Sequence, residues 1–491
     1  MSNLSELLPA GGAAKEFEPV ASGTLPNGRT VNLKANGQVE LVAETSTPIT
    51  QVIPEANALL STAYSSYNTV AYDPNTQGRF VMVYQDQGSS VTRYGVALVG
   101  TISGTNITFG GSYIFSSFTS TNYIHMAFDP NVAGRFVVAY SQGTSGGYTR
   151  VGTISGSSIS YGSAVQHRSG NVQENRISFD PLYTNRFVLS YGGNSSTMYV
   201  RSAIITGTSI SLGGTTSHSG NAPSAIACDP NNAGKFVVII GDYAVVGTIT
   251  GTSTVSLGTT VVLNVNPVDV SVSFNPNSSG VFAASYRASS NSGYGRVRIG
   301  TVSGTTTSFG SEIVFNSGST YYTAIAYDSK SLGKFIVAYK DSSHSSGYGN
   351  LRVGTMSGTY PSMAGEITFH AGSNTDFNSL SFDPNDNGQF VVFFRDGSND
   401  EKPRIVLGQM GSALITTNLA STDFVGITAE AITSGSTGVV VPKGGVATNL
   451  SSLSIGSEYY VQANGTLSTA SSSPAVHIGK AISATSLILK G

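Results

Sequence analysis

A repeated turn in this sequence has the residue types of a calcium-binding loop. Asp383, Asn385 and Asn387, followed by a glycine, place oxygen-bearing side chains at alternate positions, as a loop around a hard cation requires. The equivalent turns that begin at Asp129 and Asp229 have alanine at the fifth position, and no suitably spaced glutamate completes any of the turns. A hairpin turn with an Asx cap and a left-handed glycine explains the pattern more simply. These three residues are therefore a weak calcium candidate, and we expect no bound metal or cofactor.

The acidic, histidine and cysteine side chains show no catalytic pattern. Hydrolysis by two carboxylates needs acids that converge within roughly 5–10 Å, whereas most acids here belong to the repeated turns or, like Asp86 and Asp341, follow a predicted strand. The histidines lack the spacing of metal ligands. Cys228 replaces an aromatic residue of sister repeats, which favours a buried apolar role. No nucleophile elbow, phosphate-binding loop or dinucleotide fingerprint is present, so we predict that the protein is not an enzyme.

Glycine-flanked tyrosines are the most suggestive binding residues. Tyr94, Tyr148, Tyr294 and Tyr348 each lie beside a glycine in the connection that follows the second predicted strand of a repeat. A tyrosine on such a loop presents a rigid amphipathic ring at low entropic cost, which suits stacking on a sugar or a protein. The alternative is that these tyrosines begin the third strand and pack on a neighbouring sheet. In either case, the long loops rich in serine, glycine and tyrosine are the expected recognition surface.

The composition is that of a sparsely charged β protein. Of the 491 residues, 39% are hydrophobic, only 11% are charged and 58 are glycine, and the net charge is −2. So few charges exclude a solvated coiled coil and a charge-driven disordered tail, and they offer no basic face for nucleic acid. No apolar run approaches the roughly 18 residues of a membrane span, and the start is not a secretory signal. We expect a chain made in the cytoplasm that neither inserts into membranes nor binds nucleic acid.

One phrase recurs seven times and organises the middle of the chain. Its first copy, VAYDPNTQGRFVMVY at 70–84, contains an aspartate that is followed seven residues later by a phenylalanine. Insertions and deletions fall outside this interval, which therefore marks a tight structural turn. The Asp or Asn of the seven copies is Asp73, Asp129, Asp180, Asp229, Asn275, Asp328 or Asp383.

Each repeat, of roughly 50 residues, predicts four β-strands. A short alternating run ends at Asp-Pro, a β-branched run begins with the phenylalanine, VGTISG or a variant forms a third strand, and a fourth follows its glycine turn. Four strands per repeat without helical periodicity are typical of a propeller blade. We therefore predict an all-β fold with a seven-bladed β-propeller over residues 47–414. The segment Pro48–Ile53 resembles a fourth strand and is expected to complete the seventh blade, which closes the ring.

The two ends of the chain lie outside the repeats. Residues 1–46 predict a flexible N-terminal arm and a β-hairpin with Asn36-Gly37 at its turn, the signal of a two-residue type I′ turn. Residues 415–491 contain a similar pattern around Asn464-Gly465 and predict a small, separate C-terminal β module. We expect one of these two ends to anchor the protein.

Short phrases at both ends carry a family resemblance. They are Leu4–Gly12, Ala21–Leu25, Asp423–Ile427, Gly456–Val461, Asn464–Ser468 and Gly479–Thr485. These phrases resemble the ends of structural proteins from tailed bacteriophages, particularly marine ones, and the middle resembles the propeller repeats that accompany such modules. The resemblance implies a virion structural component: a tail fibre, an appendage or a capsid decoration protein. It carries over no catalytic residue.

The resemblance also implies where the protein acts and with which partners. It places the chain in the virion after assembly in the host cytoplasm, in several copies or as a homo-oligomer. The expected partners are other virion proteins and, for an outward-facing propeller, a glycan or protein receptor on the host surface. The alternative from another class is a glycan-binding or glycan-cleaving propeller with its site in the central funnel, and a third is a cellular adhesion or scaffold protein.

Overall fold

The fold of the chain is all-β, as the sequence predicts. A computed structural model describes residues 16–47, 50–51, 57–59, 64–89, 92–193, 196–343, 347–371, 374–397, 401–410, 414–471 and 475–490. Within these ranges the regular elements are β-strands, and there is no helix that could cross a membrane. The chain divides into two compact units, one spanning Thr50–Gly411 and the other combining Met1–Ile49 with Ser412–Gly491.

The described residues of the first unit form seven antiparallel sheets of four or five strands, a propeller-like arrangement. We number the sheets 1 to 7 in chain order of their first strands. Sheet 1 contains Tyr64–Tyr72, Arg79–Ser89, Thr92–Ser103 and Asn106–Ser116; sheet 2 contains Thr121–Phe128, Arg135–Gln142, Gly146–Ser155, Ser158–Tyr161 and Val165–Ser169. Sheet 3 contains Gln173–Phe179, Arg186–Gly192, Thr197–Thr206, Ser209–Leu212 and Thr216–Ser219; sheet 4 contains Pro223–Cys228, Lys235–Ile240, Tyr243–Thr250 and Thr254–Val262. Sheet 5 contains Pro267–Phe274, Val281–Ala288, Tyr294–Ser303, Thr306–Phe309 and Ile313–Asn316; sheet 6 contains Thr320–Tyr327, Lys334–Asp341, Tyr348–Ser357, Tyr360–Met363 and Ile367–His370. Sheet 7 contains Thr375–Phe382, Gln389–Asp396, Lys402–Met410, Thr50–Gln51 and Asn57–Leu59.

The repeated phrase builds each sheet in the same way. In sheet 1 the first strand ends just before Asp73, and Phe80 opens the second strand opposite Gly100 of the third. The Phe80 ring covers Gly100 so closely that a Cβ atom there would overlap the ring. The same Phe–Gly pair recurs in sheets 2, 4, 5, 6 and 7, which explains why the phenylalanine and the VGT motif repeat together.

The leading segment of the first unit pairs with its last sheet. Thr50–Gln51 and Asn57–Leu59 both pair with Lys402–Met410, the third strand of sheet 7. This pairing confirms the predicted fourth strand at Thr50 and Gln51, whereas Pro48, Ile49, Val52 and Ile53 lie outside the described residues. The strands from the two ends of the unit therefore share one sheet.

The turn after the first strand contains the aspartate of the repeated phrase. At four places this aspartate joins neighbouring sheets. In Asp73, Oδ1 accepts a hydrogen bond from the backbone N of Asn75 within its own turn (3.0 Å), and Oδ2 accepts one from the backbone N of Gly134 in sheet 2 (3.0 Å). The equivalent bonds between sheets run from Gly234 to Asp180 (2.8 Å), from Gly280 to Asp229 (3.0 Å) and from Gly78 to Asp383 (2.6 Å). The last of these bonds links sheet 7 to sheet 1.

The asparagine of Asp-Pro-Asn makes a second link between the same sheets. The Asn75 side chain donates to the Pro130 carbonyl of the next sheet (3.2 Å), and Asn385 of sheet 7 donates to the Pro74 carbonyl of sheet 1 (3.2 Å). Asn131, Asn231 and Asn277 make the corresponding bonds. Apolar packing follows the same order, because Tyr84 of sheet 1 contacts Phe393 of sheet 7 with ring centroids 6.0 Å apart. The first strands of consecutive sheets are in contact, and that of sheet 7 contacts that of sheet 1.

The second unit combines both ends of the chain. Its first sheet contains Thr30–Leu33, Val39–Leu41, Phe424–Thr428 and Val440–Pro442; its second pairs Glu44–Thr47 with Leu414–Thr417; its third contains Val446–Ala447, Glu458–Gln462, Leu467–Ser468, Ala475–Ala481 and Leu487–Leu489. Val31 lies opposite Gly426, and Phe17 bridges Val440. The two terminal domains that the sequence analysis separates at 1–46 and 415–491 are therefore one unit, because strands from both ends pair in one sheet.

The predicted hairpin at Asn36-Gly37 is present, but its turn differs from the prediction. Val31–Leu33 pairs with Val39–Leu41, and the backbone N of Gly37 donates to the carbonyl of Lys34 (2.9 Å). Only Gly37, with φ of +82°, has a positive φ in this turn, whereas a type I′ turn needs positive φ at both central residues. The type I′ prediction is wrong, because the loop is longer than two residues.

A buried histidine joins sheets 2 and 3. His167 of Val165–Ser169 is 3% exposed, its Nε2 lies 3.1 Å from Oδ1 of Asn175, and its ring centroid lies 4.7 Å from that of Tyr191. Phenylalanine occupies the equivalent position over a glycine in sheets 1, 5 and 6. The pKa of His167 is lowered to about 3, chiefly by burial and in part by the charges of Arg201 and Arg168, against the opposing effect of the hydrogen bond to Asn175.

We predict that replacing Asp383 with alanine destabilises the first unit by about 2 kcal/mol, because the buried amide of Gly78 loses its acceptor. Urea unfolding followed by tyrosine fluorescence measures the change. Asp386→Ala, in the same turn and half-exposed, is the matched control and should cost less than about 0.5 kcal/mol. Equal losses in the two variants would contradict the role given to Asp383.

We predict that His167 makes the protein sensitive to acid. Its folded pKa of about 3 lies below the unfolded value of about 6.5, so the unfolded state binds more protons between these pH values. Stability is therefore lost as the pH falls from about 6.5 towards 3, by up to about 1.4 kcal/mol per pH unit. Urea unfolding between pH 7 and pH 4 should show a shallower pH dependence in His167→Phe than in the unchanged protein. The half-exposed His218 provides the control variant His218→Phe, and an equal effect of both variants would refute the prediction.

Candidate functional site

Six of the seven first strands carry a strained bulge at the same position. Each bulge places a residue other than glycine at a φ between +50° and +55°, a conformation that costs roughly 1–2 kcal/mol for an ordinary side chain. The pairing register shifts at each of these positions, which re-aims the side chain away from the regular alternation of the strand. We call these residues the collar: Tyr67, Tyr123, Glu174, Asp269, Tyr322 and Phe377.

The collar lies around a cavity of about 720 Å³. The first strands of all seven sheets line this cavity, and five collar residues are among the lining side chains. A second cavity of about 450 Å³ follows along the same strands towards the Asp-Pro turns, and Val70, Ile226 and Leu380 line both cavities. The two cavities therefore form one space along the seven first strands, and the collar surrounds the larger of the two.

Four aromatic rings of the collar form a continuous arc. The ring centroid of Tyr67 lies 5.3 Å from that of Tyr123 and 5.8 Å from that of Phe377, which in turn lies 5.2 Å from Tyr322. These rings come from sheets 2, 1, 7 and 6, so the arc covers one side of the collar. The pKa of Tyr67 is raised to about 12, chiefly by burial and in part by the nearby Tyr123 and Glu174. The phenol of Tyr67 is therefore neutral and a hydrogen-bond donor at physiological pH.

Two carboxylates complete the other side of the collar. Glu174 of sheet 3 pairs with Arg176 (2.7 Å), and Asp269 of sheet 5 lies 3.7 Å from Arg287. Burial raises the pKa of Asp269, the hydrogen bond from the Tyr322 backbone and the charge of Arg287 oppose this effect, and the charge of Glu174 adds to it. Both carboxylates thus face the same cavity, and each has a cationic partner.

The cations next to the arc are held by acidic residues and by the rings themselves. Asp376 pairs with both Lys340 (2.8 Å) and Arg395 (2.6 Å). The Arg395 guanidinium lies 4.9 Å from the centroid of the Phe377 ring, and that of Arg287 lies 4.3 Å from the centroid of Tyr321. The site therefore combines aromatic surface with charges that are already compensated.

Two asparagines that directly follow collar residues in the chain have side-chain polar atoms without a hydrogen-bond partner. Asn68 lines the cavity and is 7% exposed, and neither its amide nitrogen nor its carbonyl oxygen has a partner. Asn378 also lines the cavity, and it donates to the Tyr322 carbonyl (3.2 Å) while its own oxygen has no partner. The equivalent Asn175 instead uses both groups within the protein. The amide groups of Asn68 and Asn378 therefore keep unused hydrogen-bonding capacity beside the cavity.

A neutral histidine lies in the same cavity. His125 belongs to the first strand of sheet 2, and its Nδ1 accepts a hydrogen bond from the backbone N of Ile177 (3.3 Å). The pKa of His125 is lowered to about 3, chiefly by burial and in part by the charge of Arg176. His125 therefore serves as an uncharged acceptor in the wall between sheets 2 and 3.

The four tyrosines singled out in the sequence lie on strands. Tyr94, Tyr148, Tyr294 and Tyr348 all fall within the first residues of third strands, and all four are half-buried. The Tyr148 ring stacks on Tyr140 with centroids 6.0 Å apart. No described ring contact joins two of the four, and none of them lines the cavity of the collar. Their placement matches the alternative stated above, in which they begin the third strand.

The weak calcium candidate lies in a hydrogen-bonded turn. Asp383 uses Oδ1 to accept from the backbone N of Asn385 (2.8 Å) and Oδ2 to accept from Gly78, while the side chain of Asn385 donates to Pro74. The backbone N of Asn387 donates to Asp386 (2.6 Å). Burial raises the pKa of Asp383, against the hydrogen bonds from Asn385 and Gly78. Among the described residues, no cluster of three His, Cys, Asp or Glu side chains could hold a metal ion.

Cys228 lines the second cavity. It is buried, and burial raises its thiol pKa to about 12. A thiol with so high a pKa is almost entirely protonated at neutral pH, so it is a poor nucleophile. The structure thus places Cys228 among buried apolar residues, as its sequence position predicts.

The sequence contains a positional signal for the collar that composition does not show. Each collar residue lies six positions before the repeated Asp or Asn, as Tyr67 does before Asp73 and Phe377 before Asp383. In sheet 4 this position is Pro223, whose ring holds φ near −65° and cannot adopt the left-handed conformation. The residue types at the other six positions differ, so the positive φ that they share is recognised only in the structure.

Comparison with known proteins identifies no family. No family model matches the chain, and no curated protein matches it. Among solved structures, a protein of unknown function from Dyadobacter fermentans matches with 10% identity and a TM-score of 0.44, covering 74% of this chain and 99% of that one. Chaetomium thermophilum Sqt1, solved with the N-terminus of ribosomal protein L10, matches with 13% identity and a TM-score of 0.46, covering 72% and 90%. Similarity this low assigns neither protein's partner to this chain.

We predict that glycine is tolerated better at a collar position than beside it. Both Tyr322→Gly and Tyr321→Gly lose a ring and add backbone freedom to the unfolded chain, but only Tyr322→Gly relieves a φ of +51°. Tyr322→Gly should therefore be less destabilising than Tyr321→Gly by roughly 1–2 kcal/mol. Urea unfolding of the two variants measures the difference. A Tyr322→Gly loss as large as that of Tyr321→Gly would show that the collar is unstrained.

Proposed function

We propose that the seven sheets are the blades of one closed seven-bladed β-propeller. Support comes from the contacts between successive first strands, from the Asp383–Gly78 bond between sheets 7 and 1, and from the pairing of the leading segment with sheet 7. The cavity lined by all seven first strands is then the central channel. The collar is its binding mouth.

The protein is, in this proposal, a surface component of a bacteriophage virion, with the propeller facing outward. The observation that carries the proposal is the union of both chain ends in one unit. A protein that is anchored by one unit and recognises a target with another needs two separate units, and this chain has two. Two of the phrases that resemble virion proteins pair within this unit, since Tyr459 lies opposite Gly479.

The collar supports a binding role for the propeller in preference to a catalytic one. Its carboxylates, Glu174 and Asp269, each have an arginine partner, and its largest feature is a surface of aromatic rings. Aromatic side chains with a few polar groups are typical of ligand sites that recognise a molecule without changing it. The expected target is a receptor on the host surface.

Glycan cleavage is a second candidate function, favoured by one observation. Burial raises the pKa of Asp269, which lines the cavity together with Glu174, and a raised pKa suits a general acid. Incubation of the protein with polysaccharides, followed by analysis of reducing ends, tests this candidate. Product formation that disappears in Glu174→Gln would establish cleavage and replace the binding role.

We predict that an exposed apolar pair in the terminal unit attaches the protein to the particle. Val446 and Ile488 lie opposite each other on neighbouring strands and are 43% and 44% exposed. The double variant Val446→Glu with Ile488→Glu should reduce the amount of protein in purified particles at least tenfold. Quantitative mass spectrometry of particles from a complemented phage measures this amount.

Leu332 of the first unit is 80% exposed and provides the control variant Leu332→Glu, which should be incorporated normally. Urea unfolding of each purified variant shows that folding is unchanged. Absence of the unchanged protein from purified particles would refute the virion role. Normal incorporation of the double variant would refute attachment through this surface.

A further inference from the structure

We infer that the collar binds a sugar ring of a neutral glycan, which rests on the proposed recognition role of the propeller. The ring stacks on the aromatic arc, and its hydroxyl groups bond to Asn68, Asn378 and the two collar carboxylates. Three independent features of the cavity lead to this ligand class: its aromatic surface, its open amides and its balanced charge.

The aromatic arc offers an extended apolar face inside a polar cavity. Tyr67, Phe377 and Tyr322 line the cavity side by side, with centroid separations of 5.8 Å and 5.2 Å. One face of a sugar ring consists of C–H groups, and it packs on an aromatic ring while the hydroxyl groups point outward. A cavity of about 720 Å³ lies within the range that holds small ligands. The arc therefore fits a flat, partly apolar ring.

The open amides indicate a ligand rich in hydroxyl groups. Asn68, next to Tyr67 in the chain, is buried with both polar atoms unpaired, and the Asn378 oxygen beside Phe377 is also unpaired. A buried polar group without a partner costs roughly 1–3 kcal/mol, and a bound ligand can remove this penalty. Hydroxyl groups both donate and accept hydrogen bonds, so they match an amide that offers a donor and an acceptor.

The charges around the cavity disfavour ionic ligands. A cationic ligand would stack on Phe377 or Tyr322, but Arg395 and Lys340 already lie within 6 Å of these rings. An anionic ligand would meet Glu174 and Asp269, which line the opposite side. A neutral ligand avoids both conflicts, and it can still bond to the carboxylates through its hydroxyl groups.

The test measures binding of neutral glycans to the purified full chain. An array of neutral oligosaccharides identifies the bound sugars, and calorimetric titration of the strongest one gives its Kd. Tyr67→Asn removes a ring while keeping a residue that tolerates a positive φ, and it should weaken binding at least tenfold. Asn68→Leu keeps the volume without the amide and should weaken binding at least threefold.

The control variant Tyr360→Asn removes a ring that is 63% exposed and outside the cavity, and it should bind as tightly as the unchanged protein. Tetramethylammonium and inorganic phosphate should not compete with the sugar. Lack of binding to every neutral glycan, unchanged affinity in both collar variants, or competition by either ion would overturn the inference.

The outcome is separable from that of the virion proposal. Collar variants should be incorporated into particles normally, because they lie in the first unit and the proposed attachment surface lies in the terminal unit. Glycan binding by a protein that is absent from particles would leave the inference standing and refute the virion role. Incorporation into particles without glycan binding would leave the virion role standing and refute the inference of a glycan site.

Discussion

The first unit depends on a hydrogen-bonded carboxylate that recurs at the end of four first strands and joins each of them to the next sheet. A buried carboxylate is tolerated only when its oxygens are bonded, and in Asp73, Asp180, Asp229 and Asp383 one oxygen binds the turn itself while the other binds a glycine amide of the next sheet. This double use explains why the interval from aspartate to phenylalanine keeps a constant length. It also means that four junctions between neighbouring sheets, including the one between sheets 7 and 1, are held by the same contact.

The collar keeps its strained conformation because the neighbouring sheets constrain it. Six residues have φ between +50° and +55°, and each first strand is fixed on both sides by contacts with its neighbours. Strain of this kind persists where the surrounding structure determines the backbone more strongly than the local preference does. The result is a set of aromatic rings and carboxylates that need little further ordering on binding, which favours affinity. The contacts between neighbouring sheets thus both stabilise the sheets and fix the collar side chains in place.

The features that the sequence predicts are those with local causes. The Asp-Pro turn and the first three strands of each repeat are encoded within short stretches, and the structure confirms them. The predicted fourth strand is divided into two strands in sheets 2, 3, 5, 6 and 7. The collar could not be predicted, because its positive φ values occur at tyrosine, phenylalanine, glutamate and aspartate, where glycine would have been the expected sign. The union of the chain ends was missed because Val31 and Gly426 pair across nearly the whole sequence, and such a contact leaves no local pattern. Tyr148 illustrates the opposite error, since its glycine neighbours suggest a loop although its backbone continues a strand.

The most direct test of a closed ring is amide hydrogen exchange at Gly78. This amide belongs to a turn of sheet 1, and its hydrogen-bond acceptor is Asp383 of sheet 7, whereas the amides of Gly134, Gly234 and Gly280 report the junctions between consecutive sheets. Closure predicts that the Gly78 amide is protected as strongly as the other three. Rapid exchange at Gly78 with protection retained at Gly134, Gly234 and Gly280 would show that the first and last sheets do not meet, and it would contradict the closed propeller.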